Sequence, residues 1–477
     1  MLNKRPHTLA MAGALLLAGC SLAPDFIRPA PPVADAWNAS VTADAAGVRS
    51  IANTPWQTFF PDARLQALIG AAFEHNRDLR IAVARVEEAR ALYGVQRADR
   101  LPGLSVTGAR SASRTPAGVS ATGNVLRVDR YDAGLGLPSF ELDFWGRVAS
   151  LSEAARASYL ATEEAQRAFR LSLIADVANA YFTVLEMEDR AAIAQQTVKA
   201  RSEGRDILAK RREVGIASEL DFLQADGALE LARADLANLE RQRAAAVNAL
   251  VLLVGQPALA KDLPVGKRLT EQGVVADLNV ELPSEVILKR PDVIAAEQRL
   301  LGANANIGAA RAAFLPRVTL LGSFGSAARS LSGLFDDNTG AWSFSPTLSM
   351  PLFDWGRTSN NLDVAEARKV IAVAEYEKTI QQAFREIADL LVAREQLAKQ
   401  LTALEAAEKA QTERLRLADA RYQAGIANYL EVLDAQREAY SAQQATIQVR
   451  RTLLSTAANL YKALGGAEQE LPAKRAS

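Results

Sequence analysis

"RREVGIASELDFLQAD" occupies residues 211–226, and "RYQAGIANYLEVLDAQ" occupies residues 421–436. Each sets a Gly-Ile-Ala step between two long stretches of helical spacing. Each then offers a capping residue, Ser218 or Asn428, three positions before an acid, Asp221 or Glu431. A glycine that ends one helix, followed by a cap that starts another, predicts the tip of a helical hairpin.

The two tips belong to a longer repeat. Gly215 matches Gly425, an offset of 210 residues (425 − 215). The same offset pairs Trp145, Gly146 and Arg147 with Trp355, Gly356 and Arg357, and Gly255 with Gly465. Upstream the offset is 214 (315 − 101), which pairs Leu101-Pro102 with Leu315-Pro316 and Gly94 with Gly308. The first copy therefore holds four extra residues between about 109 and 140, read as a longer surface loop. Matched Gly, Pro and Trp anchors across most of the chain make it a duplication of a unit of about 200 residues.

Each copy has one order of elements. A helix expected over 62–100, or 291–314, is stopped by Pro102 or Pro316. Two strands are expected within about 102–143, and again within 316–354. In "AWSFSPTLSM" (341–350), Trp342, Phe344, Pro346, Leu348 and Met350 alternate with Ser343, Ser345, Thr347 and Ser349. That is a strand with one apolar and one polar side. A long helix follows, over 147–213 and 357–423, spanning roughly 100 Å. Its stripe of Val148, Leu151, Ala155 and Tyr159 is narrow, as in a coiled coil. Past each tip (214–217 and 424–427) a second helix returns to Gly255 or Gly465.

The N-terminus reads as a processing segment. Lys4 and Arg5 precede the apolar run "LAMAGALLLAG" (9–19), which marks residues 1–19 as a signal peptide. It ends in Leu17-Ala18-Gly19-Cys20, which resembles the lipobox of bacterial lipoproteins, and Cys20 is the only cysteine. In that family the cysteine is lipidated, and Ser21 after it favours the outer membrane. Residues 20–60 read as a tether, 61–255 and 285–465 as the repeats, 256–284 as a linker and 466–477 as a tail.

Composition narrows the function. The 477 residues carry 55 basic and 55 acidic side chains, so no electrostatic case for nucleic acid arises. No nucleophile, metal-ligand or phosphate-loop pattern is present, so no enzyme, cofactor or metal is expected. After residue 20 no apolar run reaches the length of a spanning helix, so a membrane crossing requires a β-barrel. Four amphipathic strands cannot close one. Two chains would pool eight strands, and three would pool twelve with room for a water channel.

These features together resemble the TolC family of outer-membrane efflux ducts, in its lipoprotein branch of NodT-like and OprM-like members. The resemblance covers nearly the whole chain. It rests on Leu17–Cys20, "PWQTFF" (55–60), "LPSEVILKRPDV" (282–293), "FDWGR" (353–357) and "YQAGIANYLEVLDAQR" (422–437). It implies a mainly α membrane protein: a homotrimer with a 12-stranded outer-membrane β-barrel continued by a periplasmic α-helical barrel. It implies passive efflux, with a periplasmic adaptor and an inner-membrane resistance-nodulation-division pump as partners. The reading from another class is a periplasmic adaptor or a structural coiled-coil lipoprotein.

The resemblance also implies roles for tip residues. Glu431 and Asp434 match carboxylates that ring the periplasmic aperture, and such a ring is expected to attract cations. Asp221 and Tyr422 match groups that tie coils together in the closed state. The arginine that completes that network in some members is Ala427 here. Gly215, Ile216, Gly425 and Ile426 would form the knobs that dock the adaptor. Asp221 and Glu431 also have a plain reading as helix caps. Trp145 and Trp355 read either as interfacial anchors or as packing at the strand–helix joint.

Overall fold

The computed structural model describes residues 21–34, 54–256, 264–274 and 284–466. Cys20 and the signal segment lie outside them. The first copy contains α1 (Trp56–Phe59), α2 (Ala63–His75), α3 (Arg77–Ala98), β1 (Ser105–Thr115), β2 (Leu126–Leu142), α4 (Arg147–Glu213) and α5 (Glu219–Val254). The second contains α6 (Pro291–Ala312), β3 (Arg317–Ala328), β4 (Gly340–Ser349), α7 (Arg357–Gln423) and α8 (Tyr429–Ala463).

The long helices fall where the spacing puts them, each of 67 residues. The first expected helix does not run unbroken over 62–100. It divides at Asn76, whose side chain accepts from Leu79 N and donates to the Leu253 carbonyl. An asparagine that can cap one helix and satisfy the end of another outcompetes continued helix. Within α4, one stretch is long and apolar enough to cross a membrane by length and composition, contrary to the expectation, but half of it is buried inside the chain. It is apolar because it packs against protein.

The strands form one antiparallel sheet in the order β1-β2-β3-β4, so the two copies join through β2 and β3. Residues opposite one another share a face. One face carries Val106, Leu135, Phe140, Phe324, Leu320, Trp342, Phe344 and Leu348. The other carries Ser105, Thr107, Ser111, Ser323, Thr319, Ser343, Ser345 and Thr347. A bulge between Leu137 and Phe140 keeps the apolar set in phase along β2. Trp342 is 76% exposed and Phe324 72%, so within one chain the apolar face meets nothing. β1 and β4 remain as open edges.

Contacts divide the chain into two compact units, and each takes segments from both repeats. The repeats are thus units of sequence, not of packing. One unit holds the sheet together with residues 85–163 and 295–377. Of the described residues, the other holds 31–34, 54–84, 164–256, 264–274, 284–294 and 378–466, including the hairpin tips. Its core gathers Phe59, Phe60, Leu65, Ile69, Tyr181, Phe182 and Tyr461, all buried. Phe59 and Tyr461 rings lie 4.7 Å apart.

Two buried polar knots hold this second unit. Asp62 caps α2 through Arg64 N at 2.8 Å, and it also accepts from the Tyr181 hydroxyl, Lys267 N and Gln272 Nε2. Burial first, and the Asp62 charge next, push the Tyr181 hydroxyl far above its ordinary range, so it remains a donor. Arg290 is only 6% exposed; it pairs with Asp292 at 2.8 Å and Glu386 at 2.9 Å, and donates to the Ala463 carbonyl. The "KRPDV" stretch thus ties α6, α7 and the end of α8 together.

Candidate functional site

Each hairpin tip is built by its glycine. Gly215 and Gly425 have φ of +73° and +74°, and an added Cβ at either would meet no atom within 4 Å. The backbone conformation demands glycine there, not a lack of space. Ile216 N donates to the Arg211 carbonyl and Gly215 N to the Arg212 carbonyl, with the same pair repeated from Ile426 and Gly425. Both tips are therefore Schellman closures. They leave Ile216 75% and Ile426 72% exposed, beside exposed Val214, Leu220, Leu223 and Leu430.

The helix starts behind them differ. Ser218 and Asp221 complete a reciprocal capping box. Asn428 accepts from Glu431 N, but the Glu431 carboxylate turns instead to Arg421 at 3.4 Å. Asp221 is thus occupied as a cap, and no hydrogen bond joins it to Tyr422 among the described residues. Tyr422 accepts from Arg211 Nη1 at 3.0 Å, which links the two hairpins. Below them Tyr429 packs into a space that Gly204 leaves: a Cβ at 204 would sit 2.4 Å from its hydroxyl.

Asp434 is not a bare carboxylate. Arg414 reaches it at 2.7 Å across the hairpin, and Arg437 reaches it at 2.5 Å from one turn on. Glu431 and Asp434 are therefore both matched within the chain, by Arg421, Arg414 and Arg437, the last of which also pairs with Glu438 at 3.3 Å. This tempers the expected cation-attracting ring. Among the described residues no cluster of three or more His, Cys, Asp or Glu could hold a metal ion. Sequence reasoning missed Arg414 because its partner lies 20 residues away across a turn; Arg437, at i+3, was within reach of it.

At the strand–helix joints the two tryptophans part company. Trp145 Nε1 donates to the Pro316 carbonyl at 2.8 Å, a packing role. Trp355 is 87% exposed with φ +56°, edge-on to Phe353 at 4.7 Å. Asp354 caps α7 by accepting from Gly356 N and Thr358 N.

The described residues after Cys20 are strapped onto α6. Arg28 forms a two-bonded ion pair with Glu297, and Asn304 Nδ2 donates to the Pro24 carbonyl at 2.7 Å. A Cβ on Gly308 would lie 2.7 Å from Ala23 N. Nothing in the sequence alone signals this strap.

Comparison with known proteins bears on all of this. The family model described as "Outer membrane efflux protein" matches residues 68–256 and 282–466. The outer membrane protein OprJ of Pseudomonas aeruginosa is 44% identical over 463 residues, covering 97% of this chain and 96% of the relative. A probable efflux pump outer membrane protein, TtgC of Pseudomonas putida, is 42% identical, covering 95% and 94%. The open-state crystal structure of the MtrE outer membrane channel of Neisseria gonorrhoeae superposes with a TM-score of 0.83 at 40% identity, covering 94% of this chain and 98% of that one.

Proposed function

The chain belongs to the outer membrane efflux protein family, and from that premise we propose that three copies build one exit duct, lipid-anchored at Cys20. Its activity is the family's: a non-enzymatic outer-membrane efflux channel. The reading as an adaptor or structural coiled coil falls with that membership.

The observation that carries the trimer is the sheet. Four strands present a continuous apolar face and two open edges, which lipid does not tolerate unless neighbouring chains pair with them. Twelve pooled strands enclose a lumen lined by the serine and threonine face. Small hydroxyl side chains grip no particular solute, so choice of cargo falls to the inner-membrane pump. Exposed Ile216, Ile426 and their neighbours give the tips weakly apolar knobs suited to adaptor helices. Glu431 and Asp434 line the aperture, Tyr422 braces it through Arg211, and Asp221 fixes the start of the returning helix behind the first tip.

Mass measurement of the detergent-purified protein, corrected for bound detergent, tests the assembly. Three chains are expected, with steady conductance in planar bilayers; a folded, non-conducting monomer would refute the duct. For the anchor, Cys20→Ser is expected to abolish palmitate incorporation, and label retained on that variant would refute lipidation there.

A further inference from the structure

The β1–β2 ladder runs past the rest of the sheet. β2 pairs with β3 only as far as Tyr131 opposite Ala328, yet it pairs with β1 on to Leu126 opposite Thr115. The four extra residues of the first copy thus appear as a two-stranded ribbon projecting beyond the sheet, at the end away from the helices.

The face of that ribbon continuous with the apolar face is basic. In register with Val106 and Leu135 come Arg110 opposite Tyr131, Ala112 opposite Asp129, and Arg114 opposite Arg127. Arg110 is satisfied: it pairs with Asp129 at 3.2 Å and lies over the Tyr131 ring at 5.5 Å. Arg114 and Arg127 have no acidic partner among the described residues, although they stand directly opposite one another. Like charges at opposite positions of a ladder oppose pairing. A doubly negative group between them would reverse that. The opposite face of the ribbon carries Ser113, Val128, Thr115 and Leu126 instead, so the basic pair is confined to the outward side.

We propose that Arg114 and Arg127 form a binding site for the phosphorylated headgroup of a glycolipid in the outer leaflet. The proposal rests on the barrel reading, which makes the apolar face the lipid-facing one. Tyr131 then stands at the upper edge of an apolar band about 25 Å tall. Arg127 lies four residues further, about 13 Å along the strand, at headgroup depth. Two forked guanidiniums at that depth match a phosphate with geometry and charge. The site recurs once per chain around the rim.

Native mass spectrometry of the detergent-extracted protein, titrated with bisphosphorylated lipid A, tests the site. The double variant Arg114→Gln with Arg127→Gln is expected to bind about tenfold more weakly. Arg114→Lys with Arg127→Lys, which keeps the charge but loses the forked geometry, is expected to bind between the wild type and the double Gln variant, and Arg130→Gln, on the other face beside Asp132, to keep all of the affinity. Millimolar inorganic phosphate is expected not to displace the lipid, since acyl chains on the apolar face add to its binding. Equal lipid A binding by the wild type and the double Gln variant would overturn the site. So would loss of the trimer mass in that variant with lipid binding retained, because the arginines would then be bridging to acids of a neighbouring chain, such as Asp336 or Asp337. Protein that fails to insert into vesicles would overturn the barrel reading and this site together. Protein that inserts and conducts, yet binds lipid A no better than the Gln variant, would overturn the site alone.

Discussion

Arg211 donates to the Tyr422 hydroxyl at 3.0 Å while its guanidinium lies 5.3 Å from the centre of the same ring. One residue ends the outbound helix of the first hairpin and the other ends that of the second, so this pair joins the tips. A neutral hydrogen bond contributes about 1 kcal/mol and one to a charged group about 1.5–3. Tyr422→Phe keeps the ring against Tyr429, at 5.3 Å, and loses only the hydroxyl. Arg211→Ala loses both contacts. If the pair holds the mouth shut, single-channel conductance should rise modestly in Tyr422→Phe and more in Arg211→Ala. Equal conductance in wild type and both variants would show that the pair orders the hairpins without gating them.

If Glu431 and Asp434 line the aperture as proposed, their paired state changes what their removal does. Glu431→Gln with Asp434→Asn leaves Arg414 and Arg421 without a carboxylate partner and Arg437 with Glu438 alone. The mouth should then turn positive, not merely neutral. Two unit charges 8 Å apart in water interact by only about 0.5 kcal/mol, but a narrow throat hydrates poorly and strengthens this several-fold. Reversal potentials in a salt gradient should therefore shift toward anion selectivity in the double variant. Arg414→Ala should move them the other way by removing one positive charge and leaving Asp434 to Arg437 alone. No shift in either variant would place these charges outside the conducting path.

Much of this architecture was legible in the sequence, for a physical reason. Long helices, tip glycines and an alternating strand are local features, and local periodicity encodes them. Gly215 and Gly425 are required by a single backbone angle, so the repeat preserves them in register. The family resemblance pointed to Glu431 and Asp434. Neither route gave the partners of those positions. Arg414 and Asp434, or Arg211 and Tyr422, meet across a turn or between hairpins, and their approach depends on how helices are rotated against each other. The division at Asn76 was missed because helix spacing continues through it; only Leu253, far along the chain, completes its hydrogen bonds.

Arg290 offers a stability test distant from the tips. It is buried among Asp292, Glu386 and the Ala463 carbonyl, so it links three helices. Burial alone would weaken its charge, but the hydrogen bonds and negative charge of Asp292 and Glu386 outweigh it and hold the guanidinium above its ordinary range. Removing one partner of a buried ionic cluster leaves the others unpaired and costs about 3–5 kcal/mol. Arg290→Met should fill similar volume yet lower the thermal midpoint of the purified protein by several degrees. Glu386→Gln should cost less, because Asp292 still balances the charge. A midpoint unchanged in Arg290→Met would mean that the helices are held by their apolar packing alone.

The strap that follows Cys20 makes the last prediction. Cys20 precedes Ser21, and successive Cα atoms are about 3.8 Å apart. Whatever holds residues 23–28 therefore limits where a lipid on Cys20 can reach. Three positions on α6 hold them: Gly308 by close approach, Asn304 through the Pro24 carbonyl, and Glu297 through Arg28. Glu297 is far more buried than Arg28, so Arg28→Ala strands a carboxylate and should cost more than a surface pair's ~1 kcal/mol. Gly308→Val is harsher still, because its side chain would enter the space of Ala23 and of the Ser150 hydroxyl. The expected result is release of the strap with the helices intact: faster cleavage by a nonspecific protease within residues 21–34, lower outer-membrane yield, and unchanged helical circular dichroism. If lipid fastening and strap act in series on insertion, adding Cys20→Ser to Gly308→Val should lower the yield little further. A yield that falls by the product of the two separate losses would show that strap and lipid act independently.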